Sequence, residues 1–260
     1  MPNVTLNTAR AFVLDVQLPP VDRAREPLLL DAEPGPAFDA GKDQAVVVGS
    51  GVVTFAQGVS PQRRQSVTNS LLLAQLVARR NVPDTTDLDA WYKQYVSVLA
   101  NIGWLVETTS TTQTVDNSVD FDTHEAVLSI ATTLLGPGAL TALKLIGATL
   151  DALSGVDNTK PWLTIFNRET RTVNASNFQV ALAQQTPDGR FVVSIMAFTL
   201  KGTTASTQVL FFRAKQEDVQ FSHYASDADI DVTILDSLEP DLSNRVAAHS
   251  KAYISQLPDL

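Results

Sequence analysis

Cysteine is absent from this 260-residue chain, which excludes disulfides, thiolate metal sites and cysteine nucleophiles. Histidine is scarce: only His124, His223 and His249 occur. Positive charge is also short, with 19 Lys and Arg against 28 Asp and Glu, a formal net charge of −9 and a pI near 4.7. Nucleic-acid binding needs a basic footprint, because phosphate neutralisation dominates its affinity. The balance therefore argues against nucleic-acid partners, and the same sign disfavours anionic membrane surfaces, although apolar insertion does not depend on it. The opening MPNVTLNTARAFVL has no basic stretch followed by a long apolar one. The expectation is a cytoplasmic protein, or one exported without a cleaved signal peptide.

What is present is apolar. Ala126 to Leu153 reads AVLSIATTLLGPGALTALKLIGATLDAL, with Lys144 and Asp151 as its charged residues and Gly136-Pro137-Gly138 near its middle. Asp122 with Glu125 forms an acidic capping box ahead of it. Helices are expected at about 123–135 and 139–154, joined by the Gly-Pro-Gly break. At about 1.5 Å per residue each is roughly 20–24 Å long, short of the ~30 Å of a bilayer core. Two fates are open to such a hairpin. It is a buried core element, or it enters lipid under some condition; Leu134, Leu135, Leu140, Leu143, Ile146 and Leu150 are then the inserting residues.

Elsewhere the pattern is legible piece by piece. Pro19-Pro20, Pro27, Pro34 and Pro36 forbid long helices and predict an extended arm over 1–44. Ala45 to Phe55 is strand-like, broken by Gly49 and Gly51. Ser60-Pro61 starts a helix whose apolar residues run almost all round it, predicting burial; Asn81 and Pro83 stop it. Leu88, Trp91, Tyr95, Leu99 and Ile102 recur at helical spacing. Thr85 or Thr86 serves as its cap and Gly103 as its left-handed terminator. Trp104 to Phe121 reads as a strand or strand pair, its Thr-rich part suited to a solvated edge.

Beyond Pro161 the pattern is β. Strands are expected at 175–185, 190–200, 205–214 and 227–235, with turns at Pro187-Asp188-Gly189 and Lys201-Gly202-Thr203. Phe191 to Leu200, apolar on both faces, predicts a central strand. A last helix is expected from about Pro240, with Leu242, Val246, His249, Tyr253 and Leu257 inward. The fold class is α+β: buried helices packed on an antiparallel β-meander, with an extended Pro-rich N-terminal arm and a C-terminal helix. No Gly- or Ser-rich linker and no internal repeat divides the chain. It reads as one compact domain over 1–260, with a mainly helical half at 60–154, a sheet at 160–236 and a terminal helix at 240–257.

The motifs that resemble chemistry fail on inspection. Gly49-Ser50-Gly51 lacks the third glycine and the helix a dinucleotide loop needs, and reads as a turned strand. His124-Glu125 begins like a zinc-protease helix, but Leu128 stands where the second His is required. A Ser-His-Asp triad has no G-x-S-x-G turn to support it. Asp227, Asp229 and Asp231 alternate on a presumed strand, which would place three carboxylates on one face and makes them weak metal candidates. Trp91, Tyr92, Tyr95 and Trp104 read as core aromatics.

No catalytic residue and no cofactor is assigned. The leading expectation is a non-catalytic, self-associating structural or interaction module, with a second copy or another protein as partner. Its surfaces would be Arg63, Arg64, Arg79 and Arg80 facing an acidic stripe that includes Asp229 and Asp231. The first alternative is a membrane-active, toxin-like protein whose 123–154 hairpin inserts. The second is a hydrolase or metal-dependent enzyme with a dispersed site around His223, Asp229 and Asp231.

Overall fold

The computed structural model describes residues 4–21, 37–84, 86–116, 121–136, 139–154, 175–201, 213–214, 219–249 and 253–256. The expected features at Pro27, Pro34 and Pro36, at Thr85, at Gly202-Thr203, over most of 205–214 and at Leu257 lie outside these residues.

The α+β class holds, and its centre is a seven-stranded mixed sheet. Strands β1 (Gln44–Val48), β2 (Gly51–Phe55), β3 (Trp104–Asp116), β5 (Ala175–Gln185), β6 (Phe191–Lys201), β8 (Val219–Ile230) and β9 (Tyr253–Gln256) lie in the order β3-β8-β6-β5-β2-β1-β9. All neighbours are antiparallel except β2 and β5, which run parallel. The expected meander is its β5-β6-β8 part. Two-residue strands β4 (Phe121–Asp122) and β7 (Arg213–Ala214) pair separately. The central-strand expectation is met: β6 sits between β5 and β8 and is buried on both faces over most of its length. The threonine-rich β3 is an edge strand, as its composition implies.

Helices cover both faces. On one lie α1 (Leu6–Asp15), α2 (Pro61–Asn81), α3 (Leu88–Asn101) and α6 (Val232–Val246). On the other lie α4 (Thr123–Leu135) and α5 (Leu140–Ser154). Helix α2 starts as read: Ser60 caps it by accepting from Arg63 N at 3.3 Å, with Pro61 in the first turn. Every residue from Ser66 to Ala78 is buried, because α2 lies between the sheet and the other helices of its layer. Helix α3 is capped by Asp87, which accepts from Ala90 N at 2.9 Å, and not by a threonine. Gly103 follows it at φ +90° as expected.

Three expectations are corrected. The arm is not wholly extended: Leu6–Asp15 is helical, with Thr5 and Thr8 exchanging the hydrogen bonds of a capping box. The strand read at 227–235 ends at Ile230, where Asp231 accepts from Thr233 N and Ile234 N and starts α6. Alternating Val232 and Ile234 imitated a strand that the cap overrules. Consequently the last helix starts well before Pro240 and runs through it. The missing N–H of Pro240 frees the carbonyl of Asp236, which accepts from Gln62 Nε2 of α2 at 3.5 Å. The helix stops at Val246, so Tyr253 belongs to β9, not to its inner face.

Candidate functional site

The two helical layers are fastened differently. Residues on α1, α2, α3 and α6 share many polar ties with one another and with the sheet. Arg10 pairs with Asp241 at 2.7 Å, Arg245 donates to the Val16 carbonyl, and Arg80 donates to the Leu18 carbonyl at 2.9 Å. Tyr92 and Ser226 share a buried hydrogen bond of 2.6 Å, and the Tyr224 hydroxyl donates to Asp89. At the β1–β2 turn Gln75 of α2 plugs the backbone. Its Oε1 accepts from Ser50 N at 3.0 Å, and its Nε2 donates to the Val48 carbonyl at 3.1 Å and to Gln179 Oε1 at 3.0 Å. Gly49-Ser50 is thus a hairpin turn; Gly49 sits at φ +55°, and a Cβ there would lie 2.4 Å from Gln75 Oε1.

The α4–α5 layer is seated mainly by apolar side chains. Val127 and Ala131 of α4, with Ala142, Leu145, Ile146, Leu150 and Leu153 of α5, form the buried stripe. It rests on a phenylalanine row crossing β5, β6 and β8 and reaching β4: Phe178 stacks on Phe198 at 4.8 Å, Phe198 on Phe221 at 5.4 Å, and Phe221 meets Phe121 of β4 at 5.3 Å. A polar tie crosses the layer boundary between Thr54 of β2 and Thr149 of α5, whose hydroxyl oxygens are 2.6 Å apart and buried.

Local chemistry explains both helices. Asp122 caps α4 by accepting from His124 N at 2.9 Å and Glu125 N at 3.3 Å, with Glu125 favourably in the first turn. Gly136 ends it at φ +77°, a conformation other residues resist, and donates to the Thr132 carbonyl at 3.0 Å. On the outer face Thr132 and Thr133 turn their hydroxyls back onto the Leu128 and Ser129 carbonyls at 2.8 and 3.1 Å. Those polar groups are already satisfied within the helix. At the base of the pair His124 Nε2 lies 3.9 Å from Asp151 Oδ1.

The inner stripe of the hairpin is therefore part of the core, as expected, while its outer face is exposed. Ile146 and Leu150 are fully buried on the sheet, Leu134, Leu135 and Leu143 are half-buried, and Leu140 is 67% exposed. Burial was expected for the whole stretch because its charge is so low; uncharged threonines and one leucine face outward instead. Among the described residues no helix is long and apolar enough to cross a membrane.

The other sequence candidates do not converge. Arg64 is fully buried. Its Nε donates to the Val59 carbonyl at 2.8 Å, one terminal nitrogen to Gln44 Oε1 at 2.7 Å and the other to the Lys42 and Ala56 carbonyls at 2.8 and 3.1 Å. It holds the β1–β2 segment together and is not an interaction surface. Arg63 lies 3.6 Å from Asp236 and over the Phe191 ring, while Arg79 and Arg80 are exposed at the end of α2.

The three aspartates are split among different tasks. Ser194 Oγ donates to Asp227 at 2.5 Å, Arg190 reaches both oxygens of Asp229 at 3.1 Å, and Asp231 caps α6. Among the described residues no group of three or more metal-ligating side chains comes together. Burial pushes Asp227 above the usual carboxylate range, and the nearby Asp229 and Glu107 charges add to this against the Ser194 hydrogen bond. His223 lies on the α4–α5 side of β8 beside the stacked Phe198–Phe221 pair, 6.4 Å from each ring. Among the described residues its buried Nδ1 has no hydrogen-bond partner, and burial lowers its pKa. Among the described residues neither a triad nor a shared carboxylate–histidine site forms around His223. His249 is not on the inner stripe of the last helix but in the turn beyond it, where it donates its backbone N–H to Val246. The aromatic cluster is core as read: Trp91 stacks on Tyr95 at 5.1 Å and Tyr92 on Tyr224 at 4.4 Å.

Sequence reasoning missed Thr54 and Gln75. A threonine in a strand and a glutamine in an apolar helix carry no local signal; their meaning is in their partners.

No family model matches the chain, and no curated protein matches it. Among solved structures it is similar to a delta-endotoxin, at 13% identity and a TM-score of 0.37, over 73% of this chain and 90% of that one. It is similar to the Evf virulence factor, at 9% identity and a TM-score of 0.38, over 76% and 82%. It is also similar to the activated Cyt2Ba monomer from Bacillus thuringiensis subsp. israelensis, at 9% identity and a TM-score of 0.29, over 68% and 95%.

Proposed function

We propose that this is a membrane-active protein whose α4–α5 pair leaves the sheet and enters a lipid bilayer. The observation that carries the reading is the chemistry of that pair. Its inner stripe is aliphatic, its outer-face threonines 132 and 133 are hydrogen-bonded to their own helix, and Ala126 through Leu143 carry no charged side chain. In water, undocking exposes the stripe and is opposed at about 25 cal/mol per Å² of apolar surface. In lipid the stripe stays in an apolar medium, and the opposition disappears. The same step uncovers the phenylalanine row, so the opened form holds both apolar surfaces against the bilayer. Helices of 13 and 15 residues are roughly 20 and 22 Å long, so the pair enters to part depth and does not span.

Of the residues that suggested a contact module, Arg64, Arg80, Asp229 and Asp231 are engaged by their own chain, which favours the membrane reading over it.

The absence of cysteine makes the test clean. A Thr54→Cys, Thr149→Cys variant places two thiols where hydroxyl oxygens now lie 2.6 Å apart, to be joined by oxidation. Dye release from phosphatidylcholine vesicles is expected to be lost in the oxidised variant and recovered on reduction. Equal release from the oxidised and reduced forms, or none from wild type at neutral and acidic pH, removes the reading.

A further inference from the structure

The α4–α5 pair has a chemical polarity along its length. Its charges gather at the base, where Asp122, His124 and Glu125 open α4 and Asp151 lies in the last turn of α5. The turn end is different. Leu134, Leu135, Ala139 and Leu143 are half-exposed there and Leu140 is 67% exposed, with Thr132, Thr133 and Thr141 exposed beside them. The nearest charge to the tip on either helix is Lys144, four residues into α5 and exposed.

We infer that this turn end is a lipid-docking surface in the closed protein, and that it contacts a bilayer before the helix pair moves. The inference rests on the membrane reading above and assigns it a first step. The occupant is an electrically neutral, phosphatidylcholine-type bilayer. A chain of net charge −9 is repelled by anionic lipid, and an uncharged leucine tip gains from hydrocarbon irrespective of headgroup charge. Lys144 fixes the depth. From Leu140 to Lys144 is about 6 Å along the helix, so an ammonium held at the headgroup phosphates leaves Leu140 just below the acyl boundary. That is the depth of an interfacial anchor and needs no rupture of the Thr54–Thr149 contact.

The test uses the disulfide-closed Thr54→Cys, Thr149→Cys protein, which docks but does not open. It is expected to float with phosphatidylcholine vesicles. Leu140→Asp in the same background is expected to weaken flotation at least roughly tenfold, since an acidic side chain is among the costliest to place in hydrocarbon. Leu140→Trp is expected to be quenched by lipids brominated near the glycerol backbone and much less by lipids brominated at the chain ends. An unchanged melting temperature for both substitutions separates docking from misfolding. If the closed protein does not float while the reduced one leaks dye, opening precedes contact and the inference is overturned, with the membrane reading intact. If the closed protein floats and the reduced one never leaks, docking stands and insertion falls. Flotation unaffected by Leu140→Asp, or strengthened by anionic lipid, also overturns it.

Discussion

Thr149 Oγ1 lies 2.9 Å from the Leu145 carbonyl, to which it can donate, and 2.6 Å from Thr54 Oγ1; with its single proton on Leu145, Thr54 is the donor across the boundary between sheet and hairpin. The two positions are therefore not equivalent. Thr54→Val removes a donor and leaves Thr149 still bonded to its own helix, at a cost of about 1 kcal/mol or less. Thr149→Val strands the buried Thr54 hydroxyl and is expected to cost about 1–3 kcal/mol. The double valine variant should recover part of that loss. Urea denaturation of the three variants checks the order, and an equal cost for the two single changes would refute the assigned direction.

The turn of the first hairpin makes a second prediction. Gly49 combines φ +55° with a Gln75 side chain that occupies the space of a Cβ. Gly49→Ala therefore meets strain and collision together, and is expected to destabilise by about 2–3 kcal/mol. Gln75→Leu, which leaves Ser50 N and the Val48 carbonyl without their partner, should cost a similar amount. The two changes are in contact, so their effects should fall short of additive in a double-mutant cycle followed by thermal unfolding.

Arg64 supports the third. Its guanidinium serves four acceptors, Gln44 of β1 and the Lys42, Ala56 and Val59 carbonyls flanking β1 and β2, and lies 5.5 Å over the Phe55 ring of β2. A lysine has the charge but only one nitrogen, which cannot reach carbonyls on both sides of a planar fork. Arg64→Lys is expected to lose at least about 2 kcal/mol, and Arg64→Met about 3–5 kcal/mol. A lysine variant as stable as wild type in urea would show that charge, not geometry, is what this position supplies.

These cases show what the chain's own pattern could and could not convey. Periodicity and caps located α2, α3 and both helices of the apolar pair almost to the residue, because Ser60-Pro61, Asp122 and Gly136 act through neighbours in sequence. Burial was harder. Ala126 to Leu153 has the composition of an interior, yet the structure buries only its inner stripe against the sheet, since the covering of each face depends on strands that come later. Arg64 looks like a surface cation in any window of sequence and is buried, and Arg80, though exposed, is tied to its own chain. Their acceptors, from Leu18 to Val59, are set by the tertiary fold. Asp227, Asp229 and Asp231 fit the period of a strand, but the third is claimed by the helix it caps. The leucines of the hairpin tip were legible as candidates because the absence of charge over 126–143 is a property of the sequence itself.

Asp227 predicts a pH dependence of the less usual sign. Burial raises its pKa, so between the ordinary carboxylate value near 3.8 and the native value the folded state holds more protons than the unfolded one. Stability contributed by this group is present at low pH, falls as pH rises through that window, and remains lower at neutrality. Asp227→Asn keeps an acceptor for the Ser194 hydroxyl without the charge. It should raise stability at pH 7 by up to about 1 kcal/mol, a figure limited by the partial exposure of the site. The gain should vanish below pH 3.8. A loss of stability at pH 7 would mean that the carboxylate itself is required there.

His223 works in the opposite direction and acts where the hairpin is seated. Its imidazole lies beside the stacked Phe198–Phe221 pair with Nδ1 buried and, among the described residues, without a partner, and burial depresses its pKa below the ordinary 6.5. The unfolded chain therefore binds the proton first as pH falls. The stability that goes with a neutral ring is complete above about pH 6.5 and is lost as pH drops through 6.5 and then through the native value, by at most about 1.4 kcal/mol per pH unit. His223→Phe removes the proton acceptor and retains a ring that can stack in the same row. The variant should match wild type within about 1 kcal/mol at pH 7.5 and exceed it at pH 5 in urea denaturation. Because the lost stability belongs to the face beneath α4 and α5, vesicle dye release by wild type should rise between pH 7.5 and 5, and His223→Phe should flatten that rise. A variant with the wild-type pH profile in both measurements would assign the acid response to other groups.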